Sequence, residues 1–469
     1  MSFLSDLHQL GQILEEYRAS TLNGRTPVVR QNPIGQIIQA LGLDELVREG
    51  GLQGEKLTQF LGPYMDNTTR LEHPAYMAHQ VAAVHPSGAL GALIDAFTNN
   101  PMAVYEMGPA AAAIEFFMIN WMLKHVGFQP APSDPAAHQE AFCGGGVLVN
   151  GGSLANLTAL IAARTRLVPD IWQNGNPPDL ALMAPAESHY SITRAAGIMG
   201  IGRNAIYTLD VDQNGSVIPD RLPAVYKRLC RDGKRTIALV ANACNTPVGS
   251  YDPLKLIGDF CRANRIWFHV DGAHGASALL SDKYRRLLDG VDLADSVIWD
   301  AHKMMRTPPL CAAVLVRDHR DLDRAFEQEA SYLFHDKTQP GVDFMHRTVE
   351  CTKSGLGLKL FFVVAALGER GLAAYIERQS ELAAEAYAYL LRQPDIKCPV
   401  PPQSNILCFR VRGSDQDQLA HRDRLIASGE FHLSTTLFKG RRYLRMVFMS
   451  PQTTLDHVKA LVAALRRPL

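Results

Sequence analysis

The chain has 469 residues, 47% of them hydrophobic, and its 47 basic side chains balance 47 acidic ones. That length can close a large core with more than one lobe. The charge balance gives no electrostatic case for nucleic acid or a membrane surface. The longest mostly apolar runs, such as Ala110–Met118 and Leu360–Leu367, are too short to span a bilayer.

In chain order, the N-terminus MSFLSDLHQLGQILEEYR has the pattern of an amphipathic helix and lacks a signal peptide's apolar core. Residues 1–85 read as a helical arm, broken by Gly24, Pro27 and Gly62-Pro63, with too few apolar residues to close a core alone. Such an arm is expected to pack on another subunit. Pro74 holds His73 extended at the end of Glu72-His73-Pro74-Ala75-Tyr76. Ala110–Val126 is a helix too apolar all round for a surface position.

From Val147 strands and helices alternate. Strand Val147–Val149 leads through Gly151-Gly152 to a helix with Ser153 as its N-cap. Strands follow at Leu180–Ala184, Ala205–Leu209, Ile237–Ala243, Ile266–Val270, Ser296–Trp299 and Cys311–Val316, with helices Ile192–Gly200, Asp220–Arg231 and Pro253–Asn264 between them. This alternation argues for an α/β domain, residues 86–354, on a mostly parallel sheet. Residues 355–469 read as a smaller α+β domain. It is helical to Leu391, loop-like over Pro394–Pro402, stranded at Asn405–Val411 and Tyr443–Phe448, and closed by helix Thr454–Arg467. The eight cysteines form no C-x-x-C pair and lie mostly in apolar runs, as expected of reduced thiols in a cytoplasmic protein. No metal site is expected.

The chemistry concentrates at strand ends. Asp271 closes the apolar run Ile266–Val270, where a carboxylate is costly unless a cation or proton donor faces it. Ser296–Trp299 delivers Asp300, His302 and Lys303 at its exit. A lone buried Asp and Lys read most simply as an ion pair. Leaving adjacent strands, they also suit pyridoxal 5'-phosphate: the amine holds the aldehyde as a Schiff base and the carboxylate keeps the ring nitrogen protonated. Upstream, Gly144-Gly145-Gly146 through Gly151-Gly152-Ser153 is a glycine-rich turn opening a helix, suited to a phosphate. Gly152 stands where a P-loop needs lysine, and a plain Gly-Ser helix start remains open. His189 and Thr246 follow two further strands, where parallel sheets bind ligands.

In this order the motifs resemble the group II pyridoxal-phosphate amino-acid decarboxylases, in the glutamate, cysteine-sulfinate and aspartate branch. They run from His73-Pro74-Ala75-Tyr76 through Gly152-Ser153-Leu154-Ala155-Asn156, Ser188-His189-Tyr190-Ser191 and Tyr251-Asp252-Pro253-Leu254. They continue with His269-Val270-Asp271-Gly272-Ala273, His302-Lys303-Met304-Met305, Ala330-Ser331-Tyr332-Leu333-Phe334, Glu350-Cys351-Thr352-Lys353 and Leu444-Arg445-Met446. The resemblance spans roughly residues 60 to 450. It implies a fold type I, aspartate-aminotransferase-like large domain on a seven-stranded sheet, and a homodimer with active sites between subunits. Lys303 would be the Schiff-base lysine, Asp271 the partner of the ring nitrogen, and His189 the group stacked on the ring and assisting proton transfer. Ala273 would pack on the other face, Thr246 would lie near the 3-hydroxyl, and Gly152, Ser153 and His302 would surround the phosphate. Arg445 would meet a substrate carboxylate, with specificity coming from loops near His79, Gln80 and Tyr105.

Three departures stand out. Asp300 replaces the family's usual Asn and, beside a phosphate, is expected to turn away or pair with a cation. His274 replaces an aromatic. Gln339 occupies the place of the family's loop tyrosine, a proton donor, within a lid-like segment from Phe334 to Phe344 broken at Pro340-Gly341. The leading expectation is α-decarboxylation of a small acidic amino acid. A 2,4-diaminobutyrate-type decarboxylase, oxidative deamination to an aldehyde, carbon–carbon lyase action, or a non-catalytic cofactor-binding scaffold are the alternatives.

Overall fold

The computed structural model describes residues 2–133, 141–326 and 341–468. They form two compact units, Val84–Arg378 and Met1–Ala83 with Gln379–Leu469. The three-part division at residues 85 and 354 stays a proposal beside this grouping.

Seven strands build the sheet of the first unit: β1 (Gly145–Val149), β2 (Leu180–Pro185), β3 (Ile206–Leu209), β4 (Arg235–Asn242), β5 (Trp267–Asp271), β6 (Ser296–Asp300) and β7 (Ala312–Val316). Their order is β1-β7-β6-β5-β4-β2-β3. Strands β6, β5, β4, β2 and β3 are parallel, while β7 runs antiparallel to both β1 and β6. Every residue of β1, β2, β5, β6 and β7 is buried, so continuous apolar runs rather than alternation mark a sheet covered on both faces. Helix α1 (Pro109–Val126) lies against β1 and β7, and helix α2 (Gly152–Leu167) crosses β7, β6 and β4. Small residues along α2, among them Ala155, Ala159, Ala162 and Ala163, are buried and let it approach closely.

The second unit holds a five-stranded sheet in the order Tyr76–Met77, His432–Phe438, Arg441–Val447, Ile406–Val411, Ile396–Lys397. Its core joins Val28 and Tyr76 to Leu382, Phe409, Leu433, Leu444 and Leu461. Helices Phe3–Leu22, Ile34–Ala40, Leu43–Glu49 and Glu55–Asp66 precede it, with Ile34 and Val47 largely exposed.

Several sequence expectations need correction. Ser153 does not cap α2: Gly151 does, at φ +100°, and Ser153 lies one residue inside the helix. Gly145 and Gly146 belong to β1 rather than to a turn, and a Cβ on Gly146 would press on the Val314 carbonyl. The loop expected over Pro394–Pro402 contains the strand Ile396–Lys397. Strand His432–Phe438 was not anticipated, because HLSTTLF lacks a continuous apolar run. Helix α1 buries Met118, Met122 and Leu123 but leaves Phe117 exposed. Among the described residues no helix is long and apolar enough to cross a membrane.

Candidate active site

The carboxyl-terminal ends of β5 and β6 lie side by side, with Asp271 paired in register to Ile298. Asp300 and Lys303 follow two and five residues beyond the position paired with Asp271. The backbone of Ala273 ties the two exits: its N–H donates to Asp271 Oδ1 (3.2 Å), and its carbonyl accepts from the Asp300 N–H (3.1 Å). The other Asp271 oxygen accepts from Asn156 Nδ2 on α2 at 3.0 Å. Proton donors thus face the carboxylate, as its burial requires.

Lys303 Nζ lies 3.1 Å from Asp300 Oδ2, and its side chain is 20% exposed, so the amine is reachable. Asp300 is paired with a cation, one of the two outcomes expected for it. Its other oxygen, Oδ1, is buried with no hydrogen-bond partner among the described residues. His302 donates from Nδ1 to the Cys311 carbonyl (2.8 Å), which directs Nε2 toward Asp300 Oδ2 at 3.6 Å. Burial holds the His302 imidazole below its usual range, and the Asp300 carboxylate opposes this.

His189 follows β2, and its Nδ1 lies 2.8 Å from Ser191 Oγ. Burial lowers its pKa, Asp271 raises it and Lys303 lowers it further. Those influences place the imidazole in the field of both strand-end groups. Thr246, half-buried, follows β4. Gly152, the first residue of α2, packs on Asp300: a Cβ there would stand 2.7 Å from Oδ2.

Arg445, His79 and Gln80 belong to the other unit and lie together within it. Arg445 Nη2 donates to Gln80 Oε1 (3.0 Å) and Nη1 reaches the Ala78 carbonyl (3.5 Å). Burial lowers the His79 pKa, and the Arg445 charge adds to this. Tyr332, Gln339 and the lid-like segment as far as Pro340 lie outside the described residues.

The donor set fits pyridoxal 5'-phosphate. A reachable amine, a buried carboxylate held by two N–H donors and an imidazole surround one end of the sheet. Beside them α2 begins at Gly151-Gly152 with no side-chain cap, so its first N–H groups remain for an anion. Asp300 is the dissonant member, because its charge lies against the same helix start. Sequence reasoning used Asn156, Ser191 and His269 only as parts of motifs and Ser296 only as the start of a strand, and gave none of them a place in the site. Polar residues on otherwise apolar faces, His269 inside WFHVD above all, were the signal.

A sequence model of the pyridoxal-dependent decarboxylase conserved domain matches residues 64–412. The chain is 26% identical to human acidic amino acid decarboxylase over 96% of its own length and 88% of that protein's. It is likewise 26% identical to L-2,4-diaminobutyrate decarboxylase of Acinetobacter baumannii, over 89% of this chain and 84% of the relative. The crystal structure of mouse CSAD superposes with a TM-score of 0.85 at 25% identity, covering 98% of each chain. The site's geometry and these likenesses agree: the chain belongs to the pyridoxal-dependent decarboxylase family and is a pyridoxal-phosphate-dependent amino-acid decarboxylase.

Proposed function

We propose that this decarboxylase acts on a small acidic L-amino acid, releasing CO2 and the amine, with Lys303 as the Schiff-base lysine. The observation that carries the reading is the placement of Lys303 and Asp271 at the exits of adjacent parallel strands. When bound, the cofactor supplies an electron sink for the carbanion left by the departing carboxylate. Asp271 holds the ring nitrogen's proton in place, an electrostatic rather than an acid–base task. His189 would lie against the bound ring and assist proton transfer, with Ala273 among the residues that would hold it. Gly152, Ser153 and His302 would hold the phosphate, and Thr246 would serve the 3-hydroxyl side.

For the substrate, the likeness to an acidic amino acid decarboxylase supports an anionic side chain. Arg445 is the proposed carboxylate partner, a planar fork whose orientation Gln80 fixes, with His79 beside it. The exposed apolar side chains of the N-terminal helices suit a homodimer, and eight cysteines without a described disulfide suit a reducing cytoplasm. The test compares initial rates on aspartate, glutamate, cysteine sulfinate and 2,4-diaminobutyrate. An acidic substrate should lead, and Arg445→Gln should lower its kcat/KM by about 100-fold, as loss of a charged hydrogen-bonded contact requires. Preference for 2,4-diaminobutyrate would contradict the acidic reading, and the Acinetobacter relative makes it the outcome to look for first.

A further inference from the structure

Behind Asp271 the buried polar atoms form one connected chain. Trp267 Nε1 lies 2.8 Å from Ser296 Oγ, and that oxygen lies 2.8 Å from His269 Nδ1. His269 Nε2 is 2.8 Å from Asn156 Oδ1. Asn156 Nδ2 reaches both Asp271 Oδ2 (3.0 Å) and Ser191 Oγ (2.9 Å), and Ser191 Oγ is 2.8 Å from His189 Nδ1. Trp267, Ser296, His269, Asn156, Asp271 and Ser191 are all buried, so water does not reset their directions.

The donors can be assigned from one end. The Asp271 carboxylate only accepts, so Asn156 Nδ2 donates to it and Asn156 Oδ1 is the atom that faces His269 Nε2. His269 therefore carries its proton on Nε2 and donates to Asn156 Oδ1. Its bare Nδ1 accepts from the Ser296 hydroxyl, while Ser296 Oγ accepts from the Trp267 indole N–H. The second Asn156 N–H goes to Ser191 Oγ. Because the Ser191 N–H also points at His189 Nδ1, that nitrogen is an acceptor: the Ser191 hydroxyl donates to it and the His189 proton stays on Nε2. Burial keeps His269 neutral, its pKa pushed down to about 4, as this direction requires. The Ser191 N–H also points to His189 Nδ1 at 3.3 Å, a second donor that agrees with Nδ1 as an acceptor.

We infer that Asn156 is a positioning residue of this enzyme: its single amide aims the Asp271 carboxylate and, through Ser191, fixes the tautomer of His189. The inference rests on the proposed roles of Asp271 and His189. One rigid helix residue thereby sets two groups expected on different sides of the cofactor ring, and His189 is left to offer an N–H, not a lone pair, from Nε2. The reference point is the Asp271 carboxylate, which can only accept, and no proton needs to move along the chain.

The test uses the full-length protein loaded with pyridoxal 5'-phosphate. Histidine-labelled 15N NMR of the parent should show His189 as the Nε2–H tautomer, and Ser191→Ala should populate the Nδ1–H form. Asn156→Leu should raise the cofactor Kd by about 10-fold, the loss of a hydrogen bond to a charged group, and should change the visible circular dichroism of the bound cofactor. Asn156→Asp, of the same shape, should do the same, because it cannot donate to Asp271. An Nδ1–H tautomer in the parent would overturn the inference, and so would Asn156 variants whose cofactor affinity and dichroism match the parent's. Should the Asn156 variants not fold, the parent and Ser191→Ala spectra still decide. Asp271→Ala and His189→Ala separate the layers: if neither alters cofactor binding or dichroism, the underlying site reading fails; if they do and Asn156 does not, only this inference fails.

Discussion

Replacing Lys353 with Met should destabilise the protein strongly. Lys353 Nζ lies 2.6 Å from Glu115 Oε2, and neither side chain has any exposure. The remaining Glu115 oxygen accepts from the Leu148 N–H at 2.9 Å, so this carboxylate holds the middle of β1, whose exit is the Gly151-Gly152 turn. Burial raises the Glu115 pKa, and the Lys353 charge is the main opposing influence. Without Lys353, Glu115 must take up a proton or remain an uncompensated buried charge. Breaking such a pair by removing one partner costs about 3–5 kcal/mol. Glu115→Gln with Lys353→Met leaves no orphan charge and keeps an acceptor for Leu148, so the pair of changes should cost less than Lys353→Met alone, about 1–3 kcal/mol. Urea denaturation followed by far-ultraviolet circular dichroism measures both. A Lys353→Met protein within about 1 kcal/mol of the parent, or a double variant no more stable than the single one, would refute the reasoning.

Two further outcomes follow from the site. Asp300→Asn should tighten pyridoxal-phosphate binding about threefold or more, because it removes a negative charge lying against the start of α2 while keeping the side chain's shape; equilibrium dialysis reads it, and weaker binding would contradict a phosphate at that helix start. The second concerns acid. His269 has a native pKa of about 4 against 6.5 in the unfolded chain, so between those values the unfolded state binds a proton that the native state refuses. Its contribution, about 3 kcal/mol, is present above pH 6.5 and lost as pH falls toward 4. Asp252 and Asp321, raised by burial to about 7 and about 6, act in the opposite sense. The measurement is therefore the difference in urea midpoint between parent and His269→Gln from pH 7.5 to pH 4.5. The difference should shrink with acid, and a constant one would contradict the neutral buried imidazole.

The sheet was legible because β5, β6 and β7 are short apolar runs with turn residues at both ends, a signal that needs no partner. Lys303 and Asp271 stood out for the same reason, as charges placed where such runs stop. The Asn156 network was not legible, since its atoms come from α2, β5, β6 and α3 (Ser191–Ile198), elements far apart in the chain that only the folded sheet brings into contact. His269 looked like one more strand residue. Glu115 was hidden in the same way, on a helix whose other residues are nearly all apolar. The start of α2 was misjudged by one residue because Ser153 is the commoner cap, while the left-handed backbone at Gly151 makes the glycine the cap instead. Strand His432–Phe438 owes its existence to pairing with Tyr76–Met77 and Arg441–Val447, which its own sequence does not announce.

The most direct test is product analysis by mass spectrometry on pyridoxal-phosphate-loaded protein, incubated with the acidic amino acids and 2,4-diaminobutyrate beside a Lys303→Ala control. The account predicts an amine lighter than one acidic substrate by the mass of CO2, absent in the control. An aldehyde formed with peroxide and ammonia, or amine production undiminished by Lys303→Ala, would contradict it.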